Sequence, residues 1–172
     1  MRRSKELKAE KELKRRYGKL AESMAPYYHQ LDLRPFDDLD DDAFAYIMTK
    51  VKGVNMLDLN ETEITNESIK LLTRLEYVNE LRAKQCRNLD NGCIADLNKL
   101  TNLVFLHLKS TAITIDGLLQ LNNLPNLKEL MFSADDVEII KEKMLQLKAL
   151  LPGCAFTVNS KPWIFDDTVV KI

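Results

Sequence analysis

The chain is poor in the residues that carry covalent and metal chemistry. Its 172 residues include only 3 cysteines, with no Cys-x-x-Cys pair and no regular spacing, which argues against a disulfide framework and a zinc site and for a reducing cytoplasm. There is no glycine-rich phosphate loop and no Gly-x-Ser-x-Gly elbow, and no Cys–His pair has a plausible geometry, so catalysis is not expected. No stretch approaches the roughly 20 apolar residues that cross a bilayer. The N-terminus lacks the apolar core of a secretory signal, so membrane insertion and secretion are not expected if Met1 is the native start. Net charge is absent too: 25 Lys and Arg against 26 Asp and Glu leave −1, unlike a surface built as a trap for nucleic acid. With 45% hydrophobic residues and only 5 Gly and 5 Pro, what remains has the size and composition of one folded domain.

The neutral total conceals two charged segments. Residues 1–25 hold nine bases and four acids, and residues 31–42 hold six Asp and one Arg, local nets of +5 and −5. The first segment has high helix propensity, and Ala9, Leu13, Tyr17, Leu20 and Met24 form one narrow apolar stripe along it. Three readings compete. It is a solvated helix whose C-terminal half packs on the end of the domain while its first residues fray, a basic arm for an anionic partner or membrane, or a short coiled-coil arm. Its acids exclude a transit peptide. The run Asp37-Asp38-Leu39-Asp40-Asp41-Asp42 lacks the Gly and closing Glu of a calcium loop, and acids opening a helix near Asp41 are explained by its dipole.

The middle of the chain repeats itself. Val54-Asn-Met-Leu57-Asp-Leu59-Asn-Glu-Thr62-Glu-Ile64 recurs as Leu103-Val-Phe-Leu106-His-Leu108-Lys-Ser-Thr111-Ala-Ile113, with weaker copies around Leu81 and Leu130. The central apolar residue falls at 57, 81, 106 and 130, and degenerate copies surround Leu31 and Phe156. Six strands are therefore expected, the first and last atypical because they end an open core. Apolar sets at helical spacing follow each strand, such as Ile69, Leu72 and Leu75, or Leu118, Leu119, Leu121 and Leu124. Asn66 and Asp116 are the expected caps. A strand and a helix in every 24 to 26 residues imply parallel strands side by side, helices on the opposite face and one continuous core.

The pattern Leu-x-x-Leu-x-Leu-x-x-Thr/Cys followed by a helix resembles the leucine-rich repeat family. The Thr-x-Ile-Thr turns at 62–65 and 111–114, Cys86 in the equivalent slot and Leu124-Pro-Asn-Leu127 are similar to its cysteine-containing and ribonuclease-inhibitor-like branches. The resemblance spans about residues 28–159. It implies an α/β leucine-rich repeat solenoid, with a curved parallel sheet on the concave side and helices on the convex side. Residues 1–27 then form a charged N-terminal helix or cap, 28–159 the repeats, and 160–172 a capping tail. Ala83 in place of a core Leu, one extra residue before Leu89, and Asp135 in a Thr/Cys/Asn slot depart from the pattern at those turns.

In such an array the residues between core positions face outward in columns. One reads Asp32, Asp58, Arg82, His107, Met131 and Thr157, and its neighbour Gln30, Met56, Glu80, Phe105, Glu129 and Ala155. A third holds Arg34, Asn60, Lys84, Lys109, Ser133 and Asn159. Large apolar residues beside Arg and His mark a protein-binding surface, and the candidate contacts are Met56, Asp58, Glu80, Arg82, Phe105, His107, Glu129 and Met131. The competing reading is that the N-terminal helix or the tail covers them. Asp32 and Asp58 are expected to be neutralised by Arg34 and Arg82. His29 and His107, roughly 14 Å apart along such a sheet, do not share a metal, and Cys86 reads as a small core residue. The tail with Trp163, Phe165, Val169, Val170 and Ile172 either caps the last strand or is donated to a partner or a second copy. No cofactor, catalytic residue or metal ligand is expected. The expected function is noncatalytic protein binding through the concave face by a cytoplasmic protein. The sequence fixes no oligomeric state, and a monomer is the expectation. The alternatives are an inhibitor or immunity protein that blocks an enzyme, and an adaptor whose basic helix binds nucleic acid or an anionic membrane, although nucleic acid is not the expected partner.

Overall fold

Parallel strands can neighbour one another only if a crossover intervenes, and here the apolar segments of the sequence alternate with short helical ones. A computed structural model describes residues 2–36 and 38–165. Asp37 of the aspartate run and Val169, Val170 and Ile172 of the tail lie outside the described residues. The fold is α/β. The strands β1 (Tyr27–Asp32), β2 (Gly53–Asp58), β3 (Tyr77–Arg82), β4 (Phe105–His107), β5 (Glu129–Phe132), β6 (Ala155–Val158) and β7 (Lys161–Pro162) form one sheet in chain order. All neighbours are parallel except β6 and β7. The crossovers contain α2 (Asp41–Ile47), α3 (Asn66–Leu72), α4 (Ile94–Leu97), α5 (Ile115–Leu118) and α6 (Lys141–Leu150).

The strand register aligns Leu31, Leu57, Leu81, Leu106, Leu130 and Phe156 in one buried row. A second buried row, Leu33, Leu59, Ala83, Leu108, Phe132 and Val158, follows two residues later. Phe44, Ile47, Ile69, Leu72, Ile94, Leu97, Leu118, Met144 and Leu147 from the helical segments join the same cluster. Among the described residues the helices therefore cover one face of the sheet and leave the other without a helical layer. Ala83 is as buried as the leucines around it, and Leu89 beyond the extra residue is fully buried. The extra residue is taken up before Leu89, where Cys86 N–H bonds the Ala83 carbonyl and Leu89 N–H bonds the Cys86 carbonyl in two successive turns.

Several local expectations are corrected. The caps are Thr65 and Thr114, each in an extended conformation with its hydroxyl accepting from Glu67 and Gly117 N–H respectively. Asn66 instead donates to the Asp90 carboxylate at 2.6 Å, and Asp116 pairs with Lys143 at 2.7 Å. The helices are also shorter than the apolar spacing suggests: α4 and α5 have 4 residues each, and Leu100 and Leu121 are buried from the turns that follow them. A seventh strand exists because Lys161–Pro162 turns back along β6, and Trp163 N–H donates to the Phe156 carbonyl.

Where the chain leaves the sheet, Glu61, Gln85 and Ser110 adopt left-handed backbones, with φ of 65°, 60° and 59°. Thr62 and Thr111 hydroxyls close these turns on the Leu59 and Leu108 carbonyls. The Cys86 thiol is fully buried and donates to that same Leu59 carbonyl, in the turn of the preceding repeat.

Helix α1 (Arg2–Ser23) packs on α2 and the turn after it. Tyr17 and Met24 are buried and Leu13 and Leu20 partly so, while Ala9 remains exposed. The basic and acidic segments meet where Arg16 and Tyr17 both bond Asp38. No described helix is long and apolar enough to cross a membrane.

Candidate functional site

On the face away from the core, the register sets Met56, Glu80, Phe105 and Glu129 side by side, with Asp58, Arg82, His107 and Met131 in the next row. The predicted neighbours are therefore neighbours in the sheet. All but Asp58 are half-buried. Met56, Phe105 and Met131 do not belong to the apolar side chains packed against the core, so their partial burial comes from the crowding of the face itself.

Both competing covers, over their described residues, lie elsewhere. Helix α1 packs against α2 and the turn at 48–50. The described part of the tail sits at the β6 end, where the Phe165 ring meets Phe156 edge to face at 6.0 Å and Lys148 lies over it at 5.7 Å.

Asp58 is not presented for contact. Only 5% exposed, it accepts from Asn60 N–H at 3.1 Å and stands 3.4 Å from Arg34. Arg34 also grips Asp32 with two bonds, of 2.9 and 2.6 Å, which holds the Asp32 carboxyl below its usual range. One arginine thus answers both aspartates. The expected Arg82–Asp58 pair is absent because Arg82 turns along its own strand to Glu80 at 3.2 Å and lies over the Phe105 ring at 5.3 Å.

His107 sits edge-on to Phe105 at 6.2 Å. Burial, followed by the nearby charges of Lys84, Arg82 and Lys109, lowers its pKa against a small opposing effect of Asp58, so its ring is neutral at pH 7. The Nε atom of Arg82 and the Nε2 atom of His107 are buried without a hydrogen-bond partner. Lys84 and Lys109, left out of the candidate contacts, complete this group. The signal for them was their place two residues after Arg82 and His107 on the same face.

The remaining chemistry is muted. Cys86, Cys93 and Cys154 are free and buried, and burial raises all three thiols, Cys93 and Cys154 to about 12. At neutral pH they are protonated thiols rather than nucleophiles. Among the described residues no three His, Cys, Asp or Glu side chains converge as a metal site. Neither a protein-family model nor a curated protein matches the chain.

Proposed function

We propose that the chain is a leucine-rich repeat solenoid that binds a protein partner through the face carrying Met56, Phe105 and Met131, without catalysis. The observation that carries this reading is the placement of those three apolar side chains: half-buried, outside the core, and beside Arg82 and His107. Met and aromatic residues next to Arg are the composition of binding hot spots, and an aromatic anchor costs little entropy to order. The aligned rows at 24–26 residue intervals and the left-handed turn residues at 61, 85 and 110 support the repeat reading.

The test compares capture from native lysate by the wild-type chain and by a Phe105→Glu/Met131→Glu variant shown to be equally folded. One protein retained by the first and lost by the second supports the reading, and its identity separates an inhibitor of an enzyme from a scaffold. Identical retention refutes it. A second reading, an adaptor, draws on Lys8, Lys11, Lys14 and Lys19, all exposed along α1. Because Tyr17 and Met24 of this segment are core residues, the test is Lys→Gln substitution rather than deletion. Binding to an anionic surface then falls steeply with salt in the wild type and loses that dependence in the variant.

A further inference from the structure

Between β3 and β4 the face carries three cations, Arg82, Lys84 and Lys109, in a block around the neutral His107 ring. Arg82 is paired in register with His107, and the ladder continues beyond them with Ala83 N–H on the His107 carbonyl and Gln85 N–H on the Lys109 carbonyl, which sets Lys84 beside Lys109. The next strand adds Met131 and Ser133, neither of them acidic. Like charges on adjacent strands destabilise a sheet unless they are answered. Among the described residues the answers are partial and come from the sides: Glu80 on Arg82 at 3.2 Å and Glu61 on Lys84 at 3.5 Å, with Glu61 well exposed. Among the described residues Lys109 bonds the neutral Ser160 hydroxyl, at 2.5 Å, and forms no ion pair. Asp58, in register with Arg82, is taken by Arg34.

The surroundings restrict what can neutralise the block. Glu80 and Glu129 flank Phe105 on both sides, and Asp32 and Asp58 end the row. A continuous polyanion laid across the sheet would meet the half-buried carboxylates of Glu80 and Glu129, whereas a single carboxylate would not. Next to the block, Phe105 and Met131 offer an apolar seat.

Building on the protein-binding reading above, we infer that the partner docks an acidic–apolar peptide segment, its carboxylate between Arg82, Lys84 and Lys109 over His107 and its adjacent apolar side chain on Phe105 and Met131. A carboxylate there makes charge-assisted bonds to Arg82 and the two lysines, and it offsets the positive charges that, after burial, hold the His107 pKa down.

The experiment pans a library of random short peptides against the full chain, then follows the His107 ring resonances by NMR as a selected peptide is added. Enrichment of Asp or Glu next to Leu, Phe or Met, a shift of the His107 signals with a raised titration midpoint, and an affinity loss of about tenfold in Lys84→Gln/Lys109→Gln are the expected results. Peptides that bind without acid enrichment and are lost in Phe105→Glu/Met131→Glu overturn the acidic chemistry while leaving the protein-binding reading intact. Peptides that survive both variants overturn both, and a library that yields no binder overturns the short acidic segment as the unit of recognition.

Discussion

Asp41 shows how one carboxylate can serve two helices. It opens α2 and accepts from Thr65 N–H, Thr65 hydroxyl, Ser68 N–H and Ser68 hydroxyl at 2.9, 2.6, 3.1 and 2.5 Å, at the start of α3. Burial pushes its pKa up, but the hydrogen bonds from Ser68 and Thr65 outweigh this and hold the carboxyl below its usual range. A depressed folded pKa means that the stabilisation is present at neutral pH and is lost as pH falls through the folded value. Asp41→Asn should cost about 1–3 kcal/mol in chemical denaturation at pH 7, and the cost should shrink in acid. His107 has the same sign at a different pH. Its folded pKa is lowered, so the unfolded chain takes the proton first, and stability falls as pH drops below about 6.5. His107→Gln should flatten that limb of the stability profile. The left-handed turns supply a third expectation. A non-glycine residue there costs about 1–2 kcal/mol, partly offset by the roughly 0.5–1 kcal/mol of extra backbone freedom glycine gives up on folding. Gln85→Gly, at φ 60°, should therefore raise the melting temperature, and Gln85→Val should lower it.

At the level of elements, the two sides of β4 carry different loads. Leu106 is fully buried in the central row while Phe105, its neighbour in sequence, lies on the opposite face outside the core. Leu106→Ala should cost about 2–5 kcal/mol, whereas Phe105→Ala should stay within about 1 kcal/mol in the isolated chain. Equal losses in urea denaturation would mean that both faces are structural. The strands were legible because a period of 24 to 26 residues repeats the same apolar triplet, and each repeat sits against the next in the observed register. Helix lengths and caps were less legible. Leu75, Leu100 and Leu121 continue the helical spacing but follow the ends of α3, α4 and α5, because an apolar residue in a turn points inward as well as one in a helix. Thr65 and Thr114 compete with Asn66 and Asp116 for the cap, and the choice rests on side-chain bonds to the neighbouring turn, which sequence spacing does not encode. Arg34 is a similar case. Its bridge to both Asp32 and Asp58 depends on how far its side chain reaches across β1 and β2.

Across the whole molecule, the sheet ends differently on its two sides. At the start, α1 packs on α2 and brings Tyr17 and Met24 into the core. At the other end, β7 pairs antiparallel with β6 and brings Trp163 and Phe165 against the core. A chain ending at Asn159 should lose about 2 kcal/mol or more of stability through exposure of that apolar surface, read as a lower urea midpoint. The charge segments explain why a net of −1 says little: Arg16 meets Asp38, while Lys8, Lys11 and Lys14 stay in solvent. The central claim is that the face bearing Phe105 and Met131 contacts a protein. The most direct measurement places a photo-crosslinking amino acid at 105, at 131 and, as a control, at Ile139, which is 71% exposed outside that face. The account predicts one shared crosslinked protein from 105 and 131 and none of it from 139. Crosslinks to that protein from 139 alone would contradict it.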